Sequence, residues 1–377
     1  MGFGAAEAAD SASIISLMAR RIPELDGLRA LAILSVFIGH AEVFPLRMMW
    51  IGVDLFFVLS GFLITGILLD TPKQSFRRYI GTFYERRARR ILPPYILILV
   101  FVSIVFGTWW MRHWYLYFGL MNYVGYFWKE PFYAPLASLW SLGVEEQFYL
   151  IWPIVIFFVG AKRLPKLLVA GLLIAPALRA AFTPWLAHQA FDTYHWTIYK
   201  GTIFRFDCLA SGSLITFLWR TKADKVQRYG WLGIIPALLT PPTMFLLNRY
   251  VGGFSTYGNS MKANVLTYEI SLVAVSGLML WALSGRYTQV LRLAPLRWIA
   301  RISYSFYLVH ESMLLLANRY VHTRALAALV AATGCIVYSE LSWRWLERPI
   351  LHGGNRRAAE REVHAASVHG EGTLVER

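Results

Sequence analysis

Cysteine is almost missing from this 377-residue chain. The two present, Cys208 and Cys335, sit inside apolar runs, so no disulfide framework is expected and both read as small core residues. Charge is sparse: 16% of residues are Asp, Glu, Lys or Arg, against about 25% in an ordinary soluble domain. No two His or Cys fall at ligand spacing on one helical face, so no metal site is expected. There is no glycine-rich phosphate loop and no serine elbow of hydrolase type. The early stretch "SASIISLMA" is too short for a signal peptide, lacks a basic segment before it and is followed by Arg20 and Arg21. No repeat and no second soluble domain are visible.

What the chain has is apolar surface. It is 57% hydrophobic, with 15 Trp, 20 Tyr and 24 Phe, and its mean hydropathy is +0.46. Long apolar runs recur near the ~20 residues a helix needs to cross a bilayer. Ten are expected to span, at about 28–45, 51–70, 91–110, 141–160, 167–186, 201–219, 231–248, 264–284, 302–318 and 325–346. The stretch 111–140 is rich in aromatics, among them Trp114, Tyr115, Tyr117, Tyr123, Tyr126, Phe127 and Trp128, and reads as interfacial or re-entrant. The fold class is therefore an all-α membrane protein, a polytopic bundle of about ten transmembrane helices.

The net charge of +15 is mostly a topology signal. With the N-terminus inside, the inner segments hold 26 Lys and Arg and the outer ones 8. Basic residues concentrate in cytoplasmic loops, so both termini are expected in the cytoplasm, and nucleic acid is not needed to explain the charge. Residues 1–350 form the expected membrane domain. The polar stretch 351–377 is expected to be a disordered cytoplasmic tail.

Against this apolar background a few ionisable groups stand out. In "LDGLRALAILSVFIGHAE", Arg29 and His40 are eleven residues apart. That is about three turns, so both fall on one helix face, about 16 Å apart along the axis. A charge inside a spanning helix costs about 2.5–3.5 kcal/mol on insertion scales, so something must use or satisfy both groups. In "FYERRARRILPPY", Arg86, Arg87, Arg89 and Arg90 precede Pro93 and Pro94 at the cytoplasmic mouth of the third span. Such a cluster fixes orientation and attracts anionic lipid. It is also Arg throughout, the side chain that grips phosphate with two parallel hydrogen bonds, as a donor such as coenzyme A would require.

In "WIGVDLFFVLSGFLITGILL", Asp54 is expected at the depth of His40 across a short loop. It could orient the imidazole, pair with it as a structural group, or face water. Gly52, Gly61 and Gly66 suit close helix packing. In "SLWSLGVEEQFYLIWP", Glu145 and Glu146 open the fourth span about 100° apart, so one suits the helix dipole and the other the bundle interior. Ser138 and Ser141 read as caps. Arg205 and Asp207, in "TIFRFDCLASGSL", read either as structural ions or as the lining of a polar cavity. His310, beside Glu311 in "RISYSFYLVHESM", is a satisfied core residue or a catalyst. Glu347 and Pro349 read as a helix end.

Taken together, "PELDGLRALAILSVFIGH", "GVDLFFVLSGFLIT", "RRARRILPPY", "SLWSLGVEEQFYL", "FRFDCLASG" and "ISYSFYLVH" resemble the family 3 membrane acyltransferases over roughly 22–350. Arg29 with His40 matches the family's Arg followed eleven residues later by His. Arg87, Arg90 and Pro93 match its paired arginines and proline, and Glu145 its fourth-span Glu. The resemblance implies an O-acetyltransferase that takes an acyl group from cytoplasmic acetyl-CoA or another acyl-CoA. The acceptor is a hydroxyl of a sugar, a surface glycan or a macrolide. A stand-alone form without a periplasmic esterase-like domain is expected, in a bacterial cytoplasmic membrane and in contact with lipid. Homo-oligomerisation stays open.

In that reading His40 is the base, with Glu145 and Asp54 beside it, and an acyl-histidine relay stays open. Arg29, Arg87 and Arg90, with Arg86, hold the donor. Arg205, Asp207 and His310 meet the acceptor. The rival reading is a transporter or flippase that uses buried Arg, His and Glu as a proton relay.

Overall fold

The computed structural model describes residues 22–43, 48–72, 75–123, 133–186, 188–189, 197–254, 258–351 and 353. Arg20, Arg21, Tyr126, Phe127, Trp128 and nearly all of the 351–377 tail lie outside the described residues.

Ten long helices are present among the described residues. They are α1 (Pro23–Ala41), α2 (Ile51–Asp70), α3 (Phe76–Phe106), α4 (Leu139–Val159), α5 (Leu164–Leu186) and α6 (Thr202–Thr221), then α7 (Ala223–Tyr250) and α8 (Lys262–Ser284). The last two are α9 (Ala294–Tyr320) and α10 (Arg324–Leu351). Successive helices run in opposite directions, so one end of the bundle holds the start of α1. That end is called proximal below, and the other distal. No strand occurs among the described residues, and the protein is an all-α membrane protein.

Seven of the ten are long and apolar enough to cross a membrane. The three that are not, α1, α6 and α9, carry Arg29, His40, Arg205, Asp207 and His310. Other helices bury Arg205, Asp207 and His310, whereas His40 stays exposed near the end of α1. The most apolar window of α2 is 72% buried within the protein, whereas that of α7 is 11% buried and faces outward.

Close packing at the centre depends on glycine. A Cβ on Gly61 would run into the Leu209 carbonyl, and one on Gly212 into the Val58 carbonyl. The backbones of α2 and α6 therefore touch, as small residues permit in membranes. Gly52 abuts Ala32 of α1 in the same way.

Two local features differ from the sequence expectation. The third span was expected to begin after the arginines, but α3 starts at Phe76, where the Ser75 side chain accepts from the Arg78 amide at 3.3 Å. The helix continues through Pro93 and Pro94. Proline removes a donor, but neighbouring groups in a bundle can satisfy the freed carbonyls. As a result Arg87 and Arg90 sit on a rigid helix rather than a loop. The described part of 111–140 is a chain of short 3₁₀ turns, at Trp109–Arg112, Trp114–Leu116, Met121–Tyr123 and Ala134–Leu136. These turns pack on the distal end. Gln147 of α4 donates to Gly119 O at 3.0 Å and to Asn122 Oδ1 at 2.9 Å.

Candidate active site

Arg87 and Arg90 are three apart on α3 and so share one face. With Arg29 of α1 they line a cavity of about 260 Å³ between α1, α2, α3, α4 and α9. The Arg87 guanidinium lies over the Phe83 and Tyr149 rings, at 5.8 and 5.4 Å. Arg29 has Asp26 at 3.6 Å. Arg86 and Arg89 point elsewhere: Arg86 is exposed, and Arg89 pairs with Glu85. Residues three apart line the cavity, and the other two arginines do not.

Glu145 lines the same cavity and accepts a hydrogen bond from Ser60 at 2.5 Å. Ser60 also lies 3.1 Å from the Tyr149 hydroxyl. Three guanidiniums therefore face the cavity against one lining carboxylate. The remaining wall is largely apolar, with Phe56, Leu63, Ile64, Ile91 and Leu142. A positive mouth on an apolar slot fits a molecule with phosphates at one end and a flexible arm behind them.

The cavity is bounded by Ser141 and Tyr307. Ser141 bonds to the Tyr307 hydroxyl, which donates to Ser138 O at 2.9 Å. The expected capping is not observed: Ser138 precedes α4 without a side-chain capping bond, and its carbonyl and the Ser141 hydroxyl serve the helix interface instead. The Tyr307 carbonyl accepts from His310 Nδ1 at 2.6 Å. His310 Nε2 lies 3.1 Å from His40 Nδ1, and His40 Nε2 lies 3.5 Å from Glu311. One residue thus touches both the cavity and the histidine pair. The His40 side chain is 44% exposed, whereas His310 is fully buried.

Lys200, just before α6, lies 5.7 Å from the Trp140 ring. Burial pushes its ammonium well below the ordinary lysine range, and Glu311 opposes that shift. One polar atom each from His40, His310 and Glu311 lies within 4.8 Å of the others. Spacing along one helix could not reveal this group, because its members come from α1 and α9.

Asp54 is not His40's partner. It pairs with Arg205, accepts from Ser271 at 2.7 Å, and has no exposed surface. Equal depth on neighbouring helices does not fix direction: His40 turns toward α9, and Asp54 toward α6 and α8. Arg205 and Asp207 do not pair with each other. Asp207 bonds Arg179 at 2.6 Å, and Arg179 reaches Glu269 at 2.5 Å. Aromatic rings surround the Arg205 guanidinium, with Tyr268 nearest at 4.7 Å and Tyr199 at 5.6 Å. These five charges tie α2, α5, α6 and α8 together; none of them lines the cavity, and Phe57 stands between Arg205 and it. Sequence reasoning left Arg179 unassigned, though a lone Arg in the fifth apolar run signals a buried partner. It also missed Ser60, Tyr149, Tyr304 and Tyr307, because hydroxyls in apolar helices carry no pattern of their own.

The fold and site define a helical membrane protein with a cationic cavity that ends beside a histidine pair. A family model described as an acyltransferase domain matches residues 22–340, and the chain belongs to the family 3 acyltransferases. It is 30% identical over 361 residues to the peptidoglycan O-acetyltransferase OatA of Listeria monocytogenes, covering 88% of this chain and 56% of that protein. It is 28% identical over 372 residues to the O-acetyltransferase OatA of Staphylococcus aureus, covering 89% of this chain and 58% of that protein. The chain thus spans just over half the length of these relatives. No solved structure matches.

Proposed function

We propose that this chain is an O-acetyltransferase that takes acetyl from acetyl-CoA bound at its proximal, cytoplasmic end. It delivers the acetyl group to a glycan hydroxyl at the distal face of a bacterial cytoplasmic membrane. The observation that carries this reading is the excess of guanidinium over carboxylate in a cavity that ends at Tyr307, next to His310 and His40. Pockets for drug-sized ligands run from about 300 Å³ upward. At about 260 Å³ the cavity suits an acyl-pantetheine arm, with the nucleotide at the arginine mouth.

Arg29, Arg87 and Arg90 hold phosphate oxygens there. His40 accepts the proton of the acceptor hydroxyl at Nε2. The acceptor oxygen attacks the thioester carbonyl carbon, so a C–O bond forms and the C–S bond breaks. The proton then passes from His40 to the departing thiolate. Glu145, fixed by Ser60, limits the positive charge along the arm. Asp54, Arg205 and Asp207 act through their ion pairs by holding the helices that frame the site. The acceptor class rests on the Listeria relative, a peptidoglycan O-acetyltransferase.

The test uses full-length protein in lipid nanodiscs with radiolabelled acetyl-CoA. Bound label, lost in Arg87→Ala, supports the donor site. His40→Ala should retain donor binding but lose transfer by about 10²–10⁴-fold, the usual contribution of a general base. Wild-type transfer by His40→Ala would refute the reading. Transport without label transfer would favour the flippase.

A further inference from the structure

His310 has no exposed surface, yet it is bonded to the one imidazole the mechanism uses. Its two nitrogens are both committed, and their partners determine where the protons lie. Nδ1 is 2.6 Å from the Tyr307 carbonyl oxygen, one turn back on α9. A carbonyl oxygen only accepts, so Nδ1 carries a hydrogen. A neutral imidazole has one N–H and one bare nitrogen. The bare nitrogen of His310 is therefore Nε2, which faces His40 Nδ1 at 3.1 Å. Two facing nitrogens need one hydrogen between them. A second proton on His310 would leave a full charge on a completely buried ring, which is costly. His40 must then donate from Nδ1, and its own bare nitrogen is Nε2.

We propose that His310 is a positioning residue: its ring, anchored on the Tyr307 carbonyl, fixes the tautomer of His40 so that the basic atom is Nε2. This rests on the reading of His40 as the base. The His40 side chain is 44% exposed, so an incoming hydroxyl can reach it. Glu311 lies 3.5 Å from Nε2, longer than an ordinary N–H···O bond, and its carboxylate has no hydrogen to give to a bare nitrogen, so Nε2 stays open to a hydroxyl. Once Nε2 takes the acceptor's proton, the imidazolium faces this carboxylate. The proton moves from hydroxyl oxygen to nitrogen, and no other reactant is needed. Tyr307 links this arrangement to the donor: its side chain bounds the cavity while its carbonyl holds His310.

Three variants of the full chain in nanodiscs test the idea. His310→Phe keeps a buried ring but offers no acceptor to His40. His310→Gln restores an acceptor oxygen near the position of Nε2. His40→Ala tests the underlying reading. Turnover is followed with acetyl-CoA and an N-acetylglucosamine oligosaccharide, alongside hydrolysis of acetyl-CoA by water. Tautomers are read from ¹⁵N shifts of protein labelled at histidine.

Wild-type His40 should show hydrogen on Nδ1 and a bare Nε2. His310→Phe should lose this signature and lower kcat by about 10²-fold, with KM for acetyl-CoA changed by less than about threefold. His310→Gln should recover to within about tenfold of wild type. A wild-type His40 with hydrogen on Nε2 overturns the proposal. So does His310→Phe at wild-type kcat, or His310→Gln no better than His310→Phe, which would mean that the ring only packs. An inactive His40→Ala beside a fully active His310→Phe defeats the positioning role alone. A fully active His40→Ala defeats the reading beneath it. The tautomer signal decides the proposal even where the oligosaccharide is a poor acceptor.

Discussion

Replacing Arg87 with alanine separates a phosphate grip from a topology signal. Arg87 faces the cavity, with its guanidinium 5.4 Å from the Tyr149 ring centre. Arg86, its neighbour in sequence, is exposed and outside the cavity. Both contribute one positive charge at the proximal end, so a topology signal would treat them alike. A hydrogen bond to a charged group contributes about 1.5–3 kcal/mol. Each 1.4 kcal/mol is about tenfold in affinity. Arg87→Ala should therefore raise Kd for acetyl-CoA by about one to two decades, and Arg86→Ala by less than about threefold. Arg87→Lys should recover only part of the loss, because an ammonium lacks the planar fork that binds two phosphate oxygens. Binding is measured by isothermal titration on protein in nanodiscs, with folded fraction checked by size exclusion. Equal effects of Arg86→Ala and Arg87→Ala, or no effect of either, would refute the donor assignment.

Other expectations follow from the packing and from topology. Asp54→Asn leaves Arg205 buried with a weakened partner, and breaking such a pair costs about 3–5 kcal/mol. Its thermal unfolding midpoint should fall well below that of wild type, and Asp54→Asn with Arg205→Met should recover much of the loss; equal midpoints for wild type and Asp54→Asn would count against the pair. Gly212→Ala should lower the yield of folded protein because its Cβ meets the Val58 carbonyl, while Gly81→Ala, with nothing within 4 Å, should not. Reporter fusions after residue 80 and at the C-terminus should both read cytoplasmic, and an external signal at either would reverse the side from which the donor enters.

Much of the fold was legible because crossing a membrane imposes length and hydropathy on each helix, and all ten expected spans overlap a long helix. The start of α3 was not legible. The arginines and two prolines looked like the edge of a span, whereas Phe76–Phe106 is one helix extending past it. Along a single helix, spacing was informative: Arg29, Arg87 and Arg90 were singled out, and they share a cavity. Between helices it was not. Asp54 and His40 are close in depth, yet they face different neighbours, and only rotation about the helix axis decides that. The partner of His40, His310, lies 270 positions away, and no local pattern connects them. The Tyr307 hydroxyl and carbonyl serve two neighbours at once, a role that residue identity alone does not announce.

The two charged clusters differ in a way that bears on which is the site. In the cluster of Arg205, Asp54, Arg179, Asp207 and Glu269, each guanidinium has a carboxylate partner, and Arg205, Asp54, Arg179 and Asp207 have side chains no more than 2% exposed. The charges of such a network are paired from within, while Arg179 Nε and Arg205 Nε and Nη1 make no hydrogen bond among the described residues. The network needs no ligand, and it would lose stability if it opened to admit one. Around the cavity the balance is unequal, with three guanidiniums facing one carboxylate that is already bonded to Ser60. Uncompensated charge beside an apolar wall is costly unless something supplies the counter-charge. Among the described residues Glu145 is the single lining carboxylate, and Asp26 lies 3.6 Å from Arg29, so the three guanidiniums stay in excess. An anion that enters with its own phosphates would complete the electrostatics only while bound, which is the behaviour required of a site that must take up a donor and release its product. The same physics that makes the paired cluster a scaffold leaves the unequal one open to the donor we propose.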